Sequence, residues 1–308
     1  MKQILLLSLI LTCSMSQAIQ RTQLQMGTFG TISLKKESQH EISQGFKLLK
    51  EIELSLSSYN KKALLYKLNQ YKKVKANNYL LESIHRSQEL YTKSNGFFDI
   101  SIGSVTKKLY NFGEEEQIPS QEALRNASTN INGIHIKDNI ISLDKNITLD
   151  LGGMGKGFGV DKVGNYYREQ NISHGIIALS GDIQVLHPTS VYLDSPFHEK
   201  TFAELKILQP NTSISTSGTY RRYVKTQKHH HLINPKTKMQ GKSFVSITLI
   251  TKQNNTLIDA MATAIGVMSV KEALHFLVTN PHIAYILVRP NGNVLYGNLE
   301  KLVHVLWL

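Results

Sequence analysis

The chain contains almost no cysteine. Of its 308 residues only Cys13 is a cysteine, and it lies within residues 1–18, which are typical of an export signal. The mature chain would therefore have no thiol, so no disulfide can support the fold. A chain of this length can bury a large hydrophobic core, and that core must supply the stability instead.

Long apolar runs are confined to the N-terminus. Lys2 precedes an apolar run at 4–11, and a small-x-small cleavage site ends at Ala18; this signal is too short for a membrane-spanning helix. We expect cleavage after Ala18, which leaves residues 19–308 as one mature domain. Lipidation of Cys13 is the alternative, although the residues before it form a poor lipobox. The sequence predicts an exported, periplasmic protein. In the alternative case, Cys13 is lipidated and tethers the protein to the inner membrane as a lipoprotein.

Acidic residues are also scarce. The 23 Asp and Glu residues face 35 Lys and Arg residues, which gives a formal net charge of +12. Such a balance suits acidic or phosphorylated partners, or an anionic membrane surface. Nucleic acid is not expected as a partner, because the lysines are scattered and the chain is predicted to be exported.

Hydrophobic periodicity indicates strand pairs that alternate with helices, without the steady rhythm of a doubly wound parallel sheet. This pattern predicts an α+β fold, with antiparallel sheets and packed helices in a single large domain. The predicted helices are 40–58, 77–93 and 157–169, with one or two more over 257–278. The predicted strands and hairpins are 22–36, 134–149, 176–186, 244–251 and 284–296, of which 244–251 has the alternation of a half-buried strand.

The most informative segment is the glycine-rich run TLDLGGMGKGFGVD at residues 148–161. Glycines permit close backbone approach to a ligand, and a turn that leads into a helix favours bound phosphate. The run matches neither a P-loop nor a dinucleotide-binding fingerprint, because Gly157 and Phe158 occupy the discriminating positions. A ligand loop and a tight structural turn therefore both stay open. Asp150 beside such a turn suggests a metal ion or a hydroxyl-rich ligand.

Two further patterns suggest chemistry, each with a structural alternative. Asp259 and Thr263 are four residues apart on a predicted helix and share a face, which suits a hard cation, although Asp at a helix start is usually a cap. In the run of three histidines that ends at His231, neighbouring side chains alternate, so a zinc site is not expected. One of them could act as a base or contact a ligand, or the run could be an exposed basic loop.

Three short patterns carry less information alone. The rings of Phe97 and Phe98 in Gly96-Phe97-Phe98-Asp99 could wall a flat ligand, although a core role is the better default. Tyr59 could stack on a ring. Thr216-Ser217-Gly218 resembles a hydroxyl-and-glycine turn.

Taken in order, these motifs resemble those of the ApbE family, the FAD:protein FMN transferases or flavin transferases. The resemblance spans nearly the whole mature chain, and eight short motifs in the right order are specific. The motifs are Met26-Gly27-Thr28, Ser57-Ser58-Tyr59 with Leu68-Asn69, Gly96-Phe97-Phe98-Asp99, 150–157, Gly181-Asp182-Ile183, Thr216-Ser217-Gly218, 231–235 and 259–263.

The resemblance implies a T-fold-like α+β architecture, FAD as substrate and Mg²⁺ as cofactor. It implies transfer of FMN from FAD to a threonine hydroxyl of an acceptor flavoprotein, such as a redox-pump subunit, with release of AMP. It also implies His231 near the reacting phosphate as the candidate base, and Gly153 through its carbonyl, Asp259 and Thr263 as metal ligands. The residues expected to contact FAD are Met26, Tyr59, Phe97, Phe98, Asp99, Asp150, Lys156 and Ile233.

The chain departs from the family pattern at several positions. Asn234 replaces an aspartate, so a charge near His231 is lost, and Ser180 replaces the first glycine of Gly-Gly-Asp. Thr219 and Arg221 stand where an acidic residue is common. Two alternatives to the transferase stay open: an FAD pyrophosphatase that uses water as nucleophile, and a flavin-binding protein without catalysis.

Overall fold

The computed structural model describes residues 18–308. The predicted export signal, including Cys13, lies outside the described residues except for Ala18, the first residue of the first strand. Within residues 18–308 no helix is long and apolar enough to span a bilayer.

The described chain forms eight α-helices and fourteen strands. The helices are α1 (Gln39–Leu56), α2 (Leu64–Tyr71), α3 (Asn78–Lys93), α4 (Gly103–Thr106), α5 (Gln121–Asn126), α6 (Gly155–Glu169), α7 (Asn255–Ile265) and α8 (Val270–Thr279). The strands are β1 (Ala18–Gln25), β2 (Thr28–Lys35), β3 (Lys73–Lys75), β4 (Ile134–Lys137), β5 (Ile140–Leu143), β6 (Gly175–Leu179), β7 (Asp182–Val185), β8 (Ser190–Asp194), β9 (Thr201–Ile207), β10 (Thr212–Gly218), β11 (Ser246–Thr251), β12 (Ala284–Val288), β13 (Val294–Gly297) and β14 (Val303–Trp307).

Eight strands form one antiparallel sheet in the order β1-β2-β6-β7-β10-β11-β12-β13. Helices α1, α6 and α7 pack on one face of this sheet. Two smaller sheets, β14-β9-β8 and β3-β5-β4, complete the fold. The predicted α+β class with antiparallel sheets and packed helices is therefore confirmed.

The hairpins and long helices lie close to where the sequence places them. The tight turn between β4 and β5 has Asp138 and Asn139 at φ of 50° and 62°, a conformation that Asn and Asp tolerate better than most residues. Helix α3 begins after Asn77, whose side chain accepts the Leu80 N–H, a favourable N-cap. Local chemistry thus fixes these element ends.

Strand β11 differs from the prediction. The alternation in 244–251 predicts a strand with one exposed face, but all six residues of β11 are buried. Ile247 and Leu249 lie in the core beneath the helices, whereas Ile250 lies in a second core between the large sheet and the sheet β14-β9-β8. The half-buried interpretation was wrong because a second sheet covers the other face. Thr216-Ser217-Gly218 is likewise not a turn but the end of β10.

Helices α6 and α7 meet at their N-termini, and this contact positions the glycine-rich run. A Cβ at Gly157 would lie 2.6 Å from the Asn255 carbonyl oxygen, so only glycine permits this approach. Asp161 of α6 accepts the backbone N–H groups of Asn255 and Thr256 at 2.7 and 2.8 Å. The first turn of α7 is therefore capped by a carboxylate from its neighbour.

Candidate functional site

A cavity of about 720 Å³ opens where four parts of the chain meet. It lies between the β1–β2 turn, the end of α1 with the loop after it, the glycine-rich run, and four residues from three other loops, which are Lys107, Gly113, Ser180 and Arg222. This volume falls within the range of about 300–1,000 Å³ that is typical of small-molecule sites. The lining residues are Met26, Gly27, Thr28, Glu53, Leu56, Ser57, Ser58, Tyr59, Asn60, Lys107, Gly113, Asp150, Leu151, Gly152, Gly155, Lys156, Ser180 and Arg222.

The glycine-rich run forms the floor of the cavity. The Asp150 N–H donates to the Ile100 carbonyl at 2.8 Å, and the Gly152 N–H donates to Asp150 Oδ1 at 2.9 Å. Helix α6 then begins at Gly155, on the cavity wall. The N-terminus of a helix carries a partial positive charge and favours anions. The run is a tight turn and it also lines a cavity; that it binds a ligand stays a prediction.

Asp150 is held as a carboxylate. Thr106 Oγ1 donates to its Oδ2 at 2.7 Å, and Lys107 Nζ lies 3.7 Å from the same oxygen. Burial acts to raise the pKa of Asp150, but Lys107, Thr106 and the more distant Arg222 outweigh burial and lower it. Asp150 therefore stays ionised at neutral pH.

Three cations surround the cavity. Lys107 Nζ lies 3.5 Å from the centroid of the Tyr59 ring, and the Arg222 guanidinium also contacts Tyr59. The Tyr59 hydroxyl donates to the Phe112 carbonyl at 2.8 Å, which fixes the ring. Lys156 is the third cation. An aromatic ring beside three cations suits a ligand that combines a flat ring system with phosphate groups.

Lys156 lies between two buried carboxylates. Its Nζ is 2.6 Å from Asp182 Oδ2 and 3.5 Å from Asp259 Oδ2. Burial and the Asp182 charge together raise the pKa of Asp259 to about 7. Although burial alone would favour the neutral amine, the two carboxylates hold the pKa of Lys156 above its ordinary value. One ammonium faces two carboxylates here, so negative charge is in excess.

Asp259 does not cap its own helix, since Asn254 occupies that position in α7. Asp259 Oδ2 instead accepts the Gly157 N–H at 3.0 Å, at the start of α6. One turn further along α7, Thr263 Oγ1 lies 3.5 Å from the Gly153 carbonyl oxygen. The predicted shared face is confirmed, because both side chains point at the glycine-rich run.

These three groups fit a magnesium ion. A carboxylate, a carbonyl and a hydroxyl are the oxygen donors that Mg²⁺ uses with few protein ligands. The excess negative charge at Asp182 and Asp259 is what a divalent cation would neutralise. Residues 18–308 contain no cluster of three His, Cys, Asp or Glu side chains able to hold a metal, so a site here depends on the neutral oxygens of Gly153 and Thr263.

The three adjacent histidines have three different environments. His229 is partly exposed in a short turn. His230 is buried, with Nε2 2.9 Å from the Gly241 carbonyl and Nδ1 accepting the Leu232 N–H. His231 has Nδ1 3.1 Å from the Arg222 carbonyl. A carbonyl only accepts, so Nδ1 of His231 carries the proton and Nε2 carries the lone pair.

Electrostatics keep His231 neutral. Burial, together with the positive charges of Arg222 and Lys156, lowers its pKa to about 4. A neutral imidazole with a lone pair on Nε2 is the form that a general base requires. His231 does not line the cavity, but the charge of Lys156 contributes to lowering its pKa.

The predicted FAD contacts divide into two groups. Met26, Tyr59, Asp150 and Lys156 line the cavity. The other four do not. Phe98 and Ile233 are buried in cores, and Asp99 accepts the Ser101 N–H at 2.8 Å. Phe97 packs at the edge of the main core beneath Lys236. A contact between these four residues and FAD stays a prediction.

Sequence reasoning missed three contributors. Asp182 belongs to the Gly-Asp-Ile motif, and its pairing with Lys156 was not foreseen. Lys107 and Arg222 line the cavity, yet no local pattern marks either residue. A carboxylate inside a recurrent motif was a usable signal for Asp182, but the two rim cations could be found only from the structure.

The Asn234 departure has a structural explanation. Its amide donates to the Val267 carbonyl at 3.1 Å and accepts the Lys236 N–H at 2.9 Å. An ionised aspartate could accept but not donate. The asparagine therefore ties its loop to the end of α7, while His231 takes its orientation from the Arg222 carbonyl.

The Ser180 departure carries a backbone cost. Ser180 lies in the β6–β7 turn with φ of 56°, in the left-handed region that favours glycine. We expect Ser180→Gly to raise the free energy of unfolding by about 0.5–1 kcal/mol, because relief of the strain outweighs the added freedom of the unfolded chain. Urea unfolding would measure it. Ser180→Ala keeps the Cβ and should give no such gain; a glycine variant less stable than wild type would contradict the assignment.

Comparisons with known proteins show the family to which the chain belongs. The ApbE family model matches residues 26–287. The FAD:protein FMN transferase of Vibrio cholerae is 26% identical over 314 residues, covering 92% of each chain, and that of Haemophilus influenzae is 24% identical over 286 residues, covering 85% of this chain and 82% of the relative.

Solved structures show the same fold. The ApbE protein of Thermotoga maritima superposes with a TM-score of 0.83 at 19% identity, over 91% of this chain and 97% of that one. The flavin transferase ApbE of Vibrio cholerae gives 0.78 at 23% identity, over 94% and 97%. The resemblance seen in the motifs is thereby confirmed, and the chain belongs to the ApbE family.

Proposed function

We propose that this protein transfers FMN from FAD to a threonine hydroxyl of an acceptor flavoprotein, with Mg²⁺ as cofactor and AMP as the second product. The enzyme class, a flavin transferase, follows from family membership and from relatives of that name that match most of the chain. The metal, the threonine target and the release of AMP are the finer parts of the proposal.

One observation carries these finer parts. The cationic cavity formed with Lys107, Lys156 and Arg222 borders directly on the buried Asp182–Lys156–Asp259 cluster. A substrate with an aromatic ring system and a pyrophosphate needs cations along its phosphates and a divalent metal where charge develops. Lys156 lines the cavity and also pairs with both buried carboxylates, so the proposed phosphate site and the proposed metal site share this residue.

The proposed roles follow from these positions. Tyr59 and Met26 would contact the ring systems of FAD, and Asp150 would accept hydrogen bonds from its hydroxyl groups. Gly153, Asp259 and Thr263 would hold Mg²⁺, which when bound neutralises charge on the pyrophosphate. Phe97, Phe98, Asp99 and Ile233 are also proposed to contact FAD.

His231 is proposed as the base. Nucleophilic attack by an alcohol at phosphorus requires removal of the hydroxyl proton, and a neutral imidazole within reach is suited to this. The proton would move from the threonine Oγ to Nε2 of His231, because Nδ1 already donates to the Arg222 carbonyl. The O–P bond to the target forms as the P–O bond to the AMP leaving group breaks.

Export is also part of the proposal and rests on the sequence alone. Residues 1–18 have the pattern of a signal. An exported transferase would act on exported or membrane-bound flavoproteins, such as subunits of redox pumps. Tethering to the inner membrane through Cys13 is the variant of this proposal.

The decisive experiment uses residues 19–308 with FAD, Mg²⁺ and a threonine-containing acceptor domain of a redox-pump subunit. Intact-mass spectrometry should show a gain equal to one FMN on the acceptor, and chelation of Mg²⁺ should abolish it. Free FMN and AMP without labelled acceptor would indicate an FAD pyrophosphatase instead. FAD bound without either product would indicate a flavin-binding protein.

A further inference from the structure

The 54 residues between Glu204 and Asp259 contain no aspartate or glutamate but nine lysines and arginines. Within this segment the structure forms two short antiparallel hairpins. The first is closed by a bridge between Tyr223 and His230, and the second by a bridge between Ile233 and Gln240. We refer to residues 223–230 and 233–240 as the basic hairpins.

His231 lies at the junction of the basic hairpins. Its N–H donates to the Arg222 carbonyl at 3.2 Å, which continues the ladder of the first hairpin. The second hairpin starts two residues later, and the Gly241 N–H closes it by donating to the Leu232 carbonyl at 3.1 Å. A polypeptide seated across the basic hairpins would therefore lie next to the proposed base.

The tips of the hairpins carry lysines without carboxylate partners. Lys225 and Lys228 are exposed at the first tip, and Lys238 is partly exposed at the second. Among the ion pairs of residues 18–308, none involves these three lysines. The nearby Arg221 forms an ion pair with Asp194 at 3.1 Å. Lys236 lies over the Phe97 ring and interacts electrostatically with Glu272. The positive charges of Lys225, Lys228 and Lys238 therefore have no carboxylate partner in residues 18–308.

The loop at the cavity rim beside Arg222 carries a run of acidic residues. Glu114, Glu115 and Glu116 are exposed beside Gly113, and Glu116 accepts the Gly113 N–H at 2.9 Å. These acids lie next to Tyr59 and Arg222 rather than on the hairpin tips. None of these three acids forms an ion pair with the lysines at the hairpin tips in residues 18–308.

Exposed side chains of the basic hairpins are of types common in interfaces, and two of the tip lysines have left-handed backbone. Tyr223 and Met239 are 40% and 39% exposed, and both residue types are enriched in protein interfaces. Lys225 and Lys238 have φ of 58° and 56°, so each tip places a lysine where glycine would be favoured. Glycine can therefore replace either lysine without added backbone strain.

We propose that the basic hairpins dock an acidic segment of the acceptor protein and so present its target hydroxyl to His231. This proposal rests on the proposed transferase function and adds the chemistry of the partner. Complementary charge across such a contact raises the association rate and selects among partners.

The test compares two synthetic peptides of equal length with one central threonine, one flanked by Asp and Glu and the other by Asn and Gln. The enzymes are wild type and the variant Lys225→Glu/Lys228→Glu/Lys238→Glu. A matched control, Lys47→Glu/Lys206→Glu/Lys301→Glu, makes the same charge change at exposed lysines elsewhere. A second variant, Lys225→Gly/Lys238→Gly, removes charge while easing the backbone, so that misfolding cannot explain a loss.

We expect wild type to label the acidic peptide with kcat/KM at least about tenfold above the neutral one at low salt, and this preference to shrink at high salt. Both hairpin variants should lose the preference, with FAD binding and labelling of the neutral peptide retained. The matched control should keep it. Equal labelling of both peptides by wild type would overturn the docking proposal while leaving the transferase intact.

Two other outcomes also overturn the proposal. If wild type labels neither peptide nor an intact acceptor domain, the proposed function itself fails and the docking proposal falls with it. If the hairpin variants lose binding to phosphatidylglycerol vesicles but keep the peptide preference, the partner of this surface is an anionic membrane instead. Phosphatidylcholine vesicles serve as the neutral reference.

Discussion

Replacement of Asp259 by asparagine is expected to reduce Mg²⁺-dependent FMN transfer by at least about a hundredfold, since charge stabilisation at a reacting phosphate contributes several kcal/mol. The structure makes asparagine the informative substitution. Its amide oxygen can still accept the Gly157 N–H that Asp259 accepts at 3.0 Å, so the start of α6 stays capped. What is lost is the charge next to Gly153 and Thr263. The measurement is the transfer rate as a function of Mg²⁺ concentration, with FAD saturating.

Asp161 provides a matched control for Asp259. It is also a largely buried carboxylate at the α6–α7 contact, but it caps α7 through the N–H groups of Asn255 and Thr256. Asp161→Asn should therefore lower the free energy of unfolding and leave the Mg²⁺ dependence of transfer unchanged. Full activity of Asp259→Asn at limiting Mg²⁺ would show that the metal is held elsewhere.

Replacement of His231 by alanine is expected to slow transfer by about 10²–10⁴-fold, the usual contribution of a positioned general base. FAD affinity should change little, because His231 does not line the cavity. Single-turnover labelling of the acceptor measures the transfer rate, and the quenching of flavin fluorescence measures the affinity for FAD. His229→Ala, at the partly exposed neighbour, should leave both unchanged. An unaltered single-turnover rate in His231→Ala would remove this residue as the base.

The pH dependence of transfer should reflect the same residue. Burial and neighbouring cations lower the pKa of His231 to about 4, so the imidazole is already unprotonated at neutral pH. Because a base is active when unprotonated, we expect the contribution of His231 to be flat above about pH 5 and to fall below it. An acid limb centred near the unperturbed value of about 6.5 would contradict this environment.

Stability should follow the same titration with a definite sign. The folded state disfavours protonated His231, whereas the unfolded chain binds the proton near the ordinary pKa. The stabilisation from this difference is complete above the unfolded pKa and is lost as the pH falls from there toward about 4. Urea midpoints of wild type and His231→Ala across this window should converge as the pH falls.

Local sequence signals predicted much of the secondary structure. The turn at Asp138-Asn139, the cap at Asn77 and the helix after the glycine-rich run depend on residues close together in the chain. The spacing of Asp259 and Thr263 placed both on one helical face, because that geometry is fixed by the helical period. Such features need no knowledge of the rest of the molecule.

The burial of β11 and the different environments of the three histidines needed the tertiary structure. The pattern of 244–251 reports which residues are apolar, but not that a second sheet covers the strand. The three histidines are adjacent in sequence, yet Gly241 fixes one and Arg222 another. Their roles depend on partners that the local pattern does not include.

By itself the sequence determined the family motifs, the long helices, several of the hairpins and the positions of Asp150, Lys156, Asp259 and His231 in the chain. Only the tertiary structure decided how these residues meet. Lys156 and Asp259 are 103 residues apart in the chain, and Asp182 reaches Lys156 from a different strand. Contacts over such separations come from the packing of α6 and α7 on the large sheet, which local propensities do not encode. The charge excess that suits a divalent cation is thus a property of the folded molecule.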